Sequence, residues 1–74
     1  MDYRDRISVS PDVMLGKPVI KGTRITVELI LRKLSEGANT EDVLEGYPDL
    51  RREDILAALS YCAEVISSEE VVAG

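Results

Sequence analysis

The side chains best equipped for chemistry in this chain are cationic, and they crowd one end. Arg4, Arg6, Lys17, Lys21, Arg24, Arg32 and Lys33 lie within residues 1–33 beside four acids, whereas residues 34–74 hold only Arg51 and Arg52 against ten acids. The halves therefore carry +3 and −8, which sum to the net −5. An acidic total argues against indiscriminate nucleic-acid binding, but the basic half can still meet phosphate or an acidic protein. Lys21 and Arg24 flank a glycine-containing loop that fixes their separation, which makes them the first pair to test. Arg51 and Arg52, at the start of a helix, are the other cations within reach of a phosphate.

Catalytic chemistry is poorly supplied. The chain has no histidine and one cysteine, Cys62, which excludes an intrachain disulfide, a Cys/His zinc site and histidine acid–base schemes. Cys62 sits among apolar and small residues and reads as core rather than as a reactive thiol. The carboxylates fall on exposed helix faces, and a 74-residue chain has little room for the pocket that paired-carboxylate catalysis needs. The run GKPVIKGT lacks the GxxxxGK[ST] spacing of a phosphate loop and precedes a strand rather than a helix. No enzyme activity, catalytic residue, cofactor, metal or small-molecule substrate is expected. There is no Trp or Phe and only three Tyr, too few for a single-strand stacking platform. No apolar run approaches the roughly 18–20 residues of a membrane span, and MDYRDRISVS lacks a signal-peptide core. A cytoplasmic protein with no membrane partner is expected.

These cations need positioning elements, and the organising stretch is GANTEDVLEGYPDLRRED, residues 37–54. Thr40, followed by Glu41 and Asp42, is the expected cap of a short helix over about 41–45. Gly46 weakens that helix, and Pro48 disfavours helical geometry at Tyr47. A longer helix follows from about Arg51 to Ser67. Upstream, Thr26 caps a first helix from Val27 to about Glu36, ended by Gly37. Its Val27, Ile30, Leu31 and Leu34 form a core stripe, and Leu29 projects from the far side. Residues 1–15 read as an extended arm with a bend at the turn residues Ser10-Pro11-Asp12 and with Ile7-Ser8-Val9 as a short strand. Residues 16–26 read as a hairpin in which Val19-Ile20 and Arg24-Ile25 flank Lys21-Gly22-Thr23. The expected fold is one mainly α domain: a homeodomain-like helix-turn-helix bundle over 27–67, the N-terminal β-hairpin, and a frayed tail over 68–74.

On a helical wheel the third helix spreads Ile55, Leu56, Ala58, Leu59, Tyr61, Cys62, Ala63, Val65 and Ile66 over about 220°, beyond the ~100° of a surface helix. The remaining face, Glu53, Ala57, Ser60 and Glu64, is wrong for reading base edges. A domain this small buries only about 60–65% of its unfolded surface, so a homodimer is expected, with Leu29, Ala58, Tyr61 and Val65 at its interface.

Taken together, Gly16, Pro18, Ile20, Gly22-Thr23-Arg24-Ile25, Val27, Gly37, Tyr47-Pro48, Leu50, Asp54-Ile55, Ala58 and Tyr61 carry a resemblance. From about Val9 to Ile66 the chain resembles the domain-of-unknown-function 433 family of small bacterial and archaeal antitoxin-like proteins. GTRI with a downstream YPxL is its most specific part. The resemblance implies a homeodomain-like three-helix fold and a place beside a PIN-like ribonuclease toxin, with no catalytic residues to carry over. Three functions are thus in play: an antitoxin-like protein-binding module, a DNA-binding regulator contacting phosphates through its basic half, and a self-associating structural module.

Overall fold

A computed structural model describes residues 2–68. The fold is mainly helical: three helices, α1 (Val27–Ser35), α2 (Thr40–Gly46) and α3 (Arg52–Ser68), follow a two-stranded antiparallel sheet of β1 (Ile7–Ser8) and β2 (Val19–Ile20). This is a helix-turn-helix bundle with a small N-terminal sheet.

Local chemistry sets the helix ends. The Thr26 side chain accepts from the Leu29 N–H at 3.0 Å and starts α1. The helix stops at Gly37, whose φ of 103° favours glycine. There the Gly37 and Ala38 N–H groups return to the carbonyls of Leu34 and Lys33, a paired closure that satisfies the last turn. The cap of α2 is Asn39, not Thr40. Asn39 and Asp42 exchange side-chain-to-backbone hydrogen bonds of 2.9 and 3.0 Å in a full capping box. Asn39 wins because its amide oxygen reaches the Asp42 N–H three residues on, which leaves Thr40 as the first helical residue. Tyr47 leaves helical geometry at φ −134° and ψ 82°, as the following Pro48 demands.

The hairpin differs from expectation in its partner. Val19-Ile20 pairs with Ile7-Ser8 of the arm, in the register Ile7 to Ile20 and Ser8 to Val19. On its other edge β2 has only an isolated Val19–Thr26 bridge and an Ile20 N–H to Ile25 carbonyl bond of 3.0 Å. A three-residue loop curls too tightly for a second full strand: the Thr23 N–H and hydroxyl both return to the Ile20 carbonyl. Central placement buries Val19 and Ile20, and Ile20 with Ile7 packs on the helical core of Val27, Ile30, Val43, Leu50, Ile55, Ala57 and Ala58.

The arm bends at Ser10-Pro11-Asp12 as expected, where the Val13 N–H donates to the Ser10 carbonyl at 3.1 Å. It is less extended than expected on either side. Tyr3–Asp5 forms a 3-10 turn, and Met14–Gly16 forms a turn with φ of 49°, 57° and 83°. Tyr3 packs edge-on against Tyr61 of α3 with ring centroids 5.3 Å apart. The frayed-tail expectation falls on residues 69–74, outside the described residues, except at Ser68, which ends α3.

Candidate functional site

The basic residues do not form one site. Arg6 turns inward and donates from Nη1 to Asp54 Oδ1 at 3.0 Å, while Asp54 Oδ2 accepts the Arg51 N–H at 2.9 Å. Asp54 is only 6% exposed, so one buried carboxylate both closes the start of α3 and anchors the arm across 48 residues of sequence. Arg6 therefore holds the arm to α3. Position alone hid this role, because Asp54 reads as one more acid in a first turn.

Three other cations are neutralised at the surface. Lys17 and Arg32 hold the two oxygens of Glu28 at 2.9 and 3.1 Å. Hydrogen bonds from Lys17 and then Arg32, reinforced by their charges, hold the Glu28 carboxyl below its usual range. Arg52 pairs with Glu41 and so ties α3 to α2. Arg4 lies over the Tyr3 ring, 5.7 Å from its centroid, with Asp2 4.0 Å away. Among the described residues Lys21, Arg24, Lys33 and Arg51 make no ion pair. Lys21 and Arg24 line one shallow depression with Ser8, Val13 and Thr23, whereas Lys33 lines a separate one with Ala38 and Tyr47. Lys21 and Arg24 thus form a local cationic feature on the loop. Among the described residues no cluster of His, Cys, Asp and Glu could hold a metal ion.

Apolar surface is the more informative feature. The buried side of α3 is Asp54, Ile55, Ala57 and Ala58. Ala57, expected on the outward face, is fully buried, and Ala58, expected at an oligomer interface, is equally enclosed in the chain's own core. The arm and β1 approach α3 from the side the sequence left to solvent, which rotates the helix relative to expectation. Leu56, Leu59 and Ile66, expected within the apolar arc, are instead 50%, 43% and 64% exposed. Ala63 is exposed between them. Leu29 is half-buried, Tyr61 is half-buried against Tyr3, and Val65 is exposed.

A second apolar feature is a groove of about 470 Å³ between α1 and α3, floored by Pro18, Val27, Leu31, Tyr61 and Cys62 and edged by Glu28 and Arg32. Cys62 is half-buried, and desolvation raises its thiol pKa. Three residues before Pro18, Leu15 is 94% exposed in left-handed backbone.

Residues 7–62 match the family model described as protein of unknown function DUF433. The chain belongs to the DUF433 family. The DUF433 fold has been solved for a member from Anabaena variabilis, which superposes with a TM-score of 0.81 at 31% identity over 86% of this chain and 63% of that one. The uncharacterized protein y4eO of Sinorhizobium fredii is 36% identical over 58 residues, 78% of this chain. The chain spans only 26% of that relative's length. The DUF433 match covers β1 through the middle of α3. No helix among the described residues is long and apolar enough to cross a membrane.

Proposed function

We propose that this DUF433 chain is a non-enzymatic, antitoxin-like protein-binding module that dimerises and neutralises a PIN-like ribonuclease toxin. One observation carries the reading: α3, which holds the place of a recognition helix, turns Leu56, Leu59, Ala63 and Ile66 outward. A base-reading helix presents Arg, Lys, Asn or Gln there, whereas exposed leucines in a row fit a protein surface. The groove edged by Glu28 and Arg32 is the surface offered to the toxin, because it combines apolar depth with charges of both signs at its rim. Co-expression with the product of the adjacent open reading frame is the test. A stable complex and relief of toxicity are expected; no complex and no toxicity would overturn the proposal.

A second reading, DNA binding through phosphates, is favoured only by the unpaired Lys21 and Arg24 on one tight loop. It requires operator binding that weakens steeply with salt and with Lys21→Glu plus Arg24→Glu. Binding unchanged by those reversals would remove the loop from the contact.

A further inference from the structure

The loop between β2 and α1 is tied down on both shoulders and still carries unpaired charge. Ile20 to Thr23 forms a turn in which the Thr23 N–H donates to the Ile20 carbonyl at 3.0 Å, and Gly22 takes a φ of 79° at the third position, where such turns need glycine. The Lys21 N–H donates to the Arg6 carbonyl at 2.8 Å and the Ile20 N–H to the Ile25 carbonyl at 3.0 Å. The Thr23 hydroxyl is engaged in the same closure, donating to the Ile20 carbonyl at 2.8 Å and accepting the Ile25 N–H at 3.0 Å. Among the described residues the Gly22 and Arg24 N–H groups have no acceptor. Lys21 and Arg24, exposed and in no ion pair among the described residues, line a depression of about 430 Å³ with half-buried Ser8 and Val13 and buried Val19. No described carboxylate lines it.

We propose that this depression is an oxyanion site for one phosphate monoester carried on a small organic body. The proposal rests on the phosphate reading of Lys21 and Arg24 and deepens it by naming the ligand. Charge decides between phosphate types. Two unpaired cations match the dianion that a monoester becomes above its second pKa of about 6, whereas each phosphate of a nucleic-acid backbone brings a single charge. The cations that such a backbone needs in series are engaged elsewhere: Lys17 and Arg32 with Glu28, Arg6 with Asp54, and Arg52 with Glu41. Lys33 lines a different depression. The donor set suits a phosphate, since the planar Arg24 fork takes two oxygens, Lys21 supplies a point charge, and Ser8 adds a hydroxyl from β1. Val13 and Val19 give the site an apolar side, and its volume falls within the roughly 300–1,000 Å³ of small-molecule sites, so there is room for more than the phosphate itself. Because the turn is already fixed by its own hydrogen bonds, little backbone ordering is left for the ligand to impose.

Backbone amide chemical shifts of the full, isotope-labelled chain test the site during titration with phenyl phosphate at about pH 7.5 and fixed ionic strength. The Gly22 and Arg24 signals should move to saturation with a midpoint on the order of 1 mM. Diethyl phosphate, with one charge, should bind about 10-fold more weakly, and inorganic phosphate, with no apolar body, about 3-fold more weakly. Lys21→Gln and Arg24→Gln should each weaken phenyl phosphate binding about 5- to 10-fold and Ser8→Ala about 2- to 3-fold. Lys33→Gln, in the other depression, should leave it unchanged. Signals that never saturate, equal affinity for diethyl or inorganic phosphate, or equal losses from Lys21→Gln and Lys33→Gln would each overturn the proposal. A DNA duplex that moves the same signals while phenyl phosphate does not would overturn the monoester site and leave the DNA reading standing. Phenyl phosphate binding without duplex binding would uphold the site and remove DNA from that reading.

Discussion

The two faces of α3 are built from similar residues and do opposite things. Inward, Ile55, Ala57 and Ala58 lose all or nearly all of their solvent contact to α1, α2 and β1, and Asp54 joins them by pairing with Arg6. Outward, Leu56, Leu59 and Ile66 keep about half of theirs. The inward face pairs small alanines with one large isoleucine, which lets β1 and the arm approach closely. The outward face sets its large residues around one alanine. Hydrophobicity alone does not separate these faces; residue size and the approach of the arm do.

The sharpest way to break this contrast is to truncate one residue on each face. Ile55→Ala should lower unfolding free energy by about 3 kcal/mol in urea denaturation, because it removes a fully enclosed side chain and leaves a cavity. Leu56→Ser, one residue along, should stay within about 0.5 kcal/mol. Equal losses would mean that both faces serve the fold.

Next in size is the inward acid. Asp54→Ala should cost about 2 kcal/mol, since it removes both a helix cap and the arm's anchor. Arg6→Ala should cost less, and the double variant should fall short of the sum of the two. Strict additivity would show that arm and helix are held independently.

Leu15 sharpens the outward side away from α3. Its left-handed backbone disfavours a branched residue, so Leu15→Gly should raise stability by up to about 1 kcal/mol and increase Tm. A stabilised variant that loses partner binding would identify Leu15 as a contact kept against its own strain. An unchanged or lowered Tm would show that the turn is relaxed.

The smallest effect contrasts a surface acid with buried Asp54. Hydrogen bonds from Lys17 and Arg32 hold the Glu28 carboxyl below the usual carboxylate range by favouring its charged form. The sign follows: a lowered folded-state pKa contributes stability that is present above the unfolded value and is lost as pH falls through the folded one. Carboxyl chemical shifts should place the Glu28 midpoint below 4.5, and Lys17→Ala should move it back up. A midpoint that ignores Lys17 would mean that the pair is not held in solution.

Much of the scaffold was legible in the chain. Thr26, Gly37, Pro48 and the apolar repeat of α1 speak through local sterics and hydrogen bonding, which act within a few residues. Those short-range effects are enough to predict three helices and a short sheet from the chain alone. The structure departs from these expectations where a local rule allows two answers. Asn39 and Thr40 are both good caps, and only the reach to Asp42 separates them. Val19-Ile20 could pair forward or backward, and the tight turn at Thr23 decided for Ile7-Ser8. On the candidate surface, the cations of residues 1–33 looked like one patch, but the fold engages Lys17 and Arg32 with Glu28 and Arg6 with Asp54, and leaves Lys21 and Arg24 as the unpaired remainder of the loop.

The helices, their stops and the surplus of apolar surface on the last of them follow from propensity, capping and periodicity, which are properties of neighbouring residues. Only the tertiary structure decided which part of that surplus is core. Ala57 went inside and Leu56 and Leu59 stayed outside because Arg6, 48 residues from Asp54, pulls the arm against one side of α3, and no local pattern encodes so distant a contact.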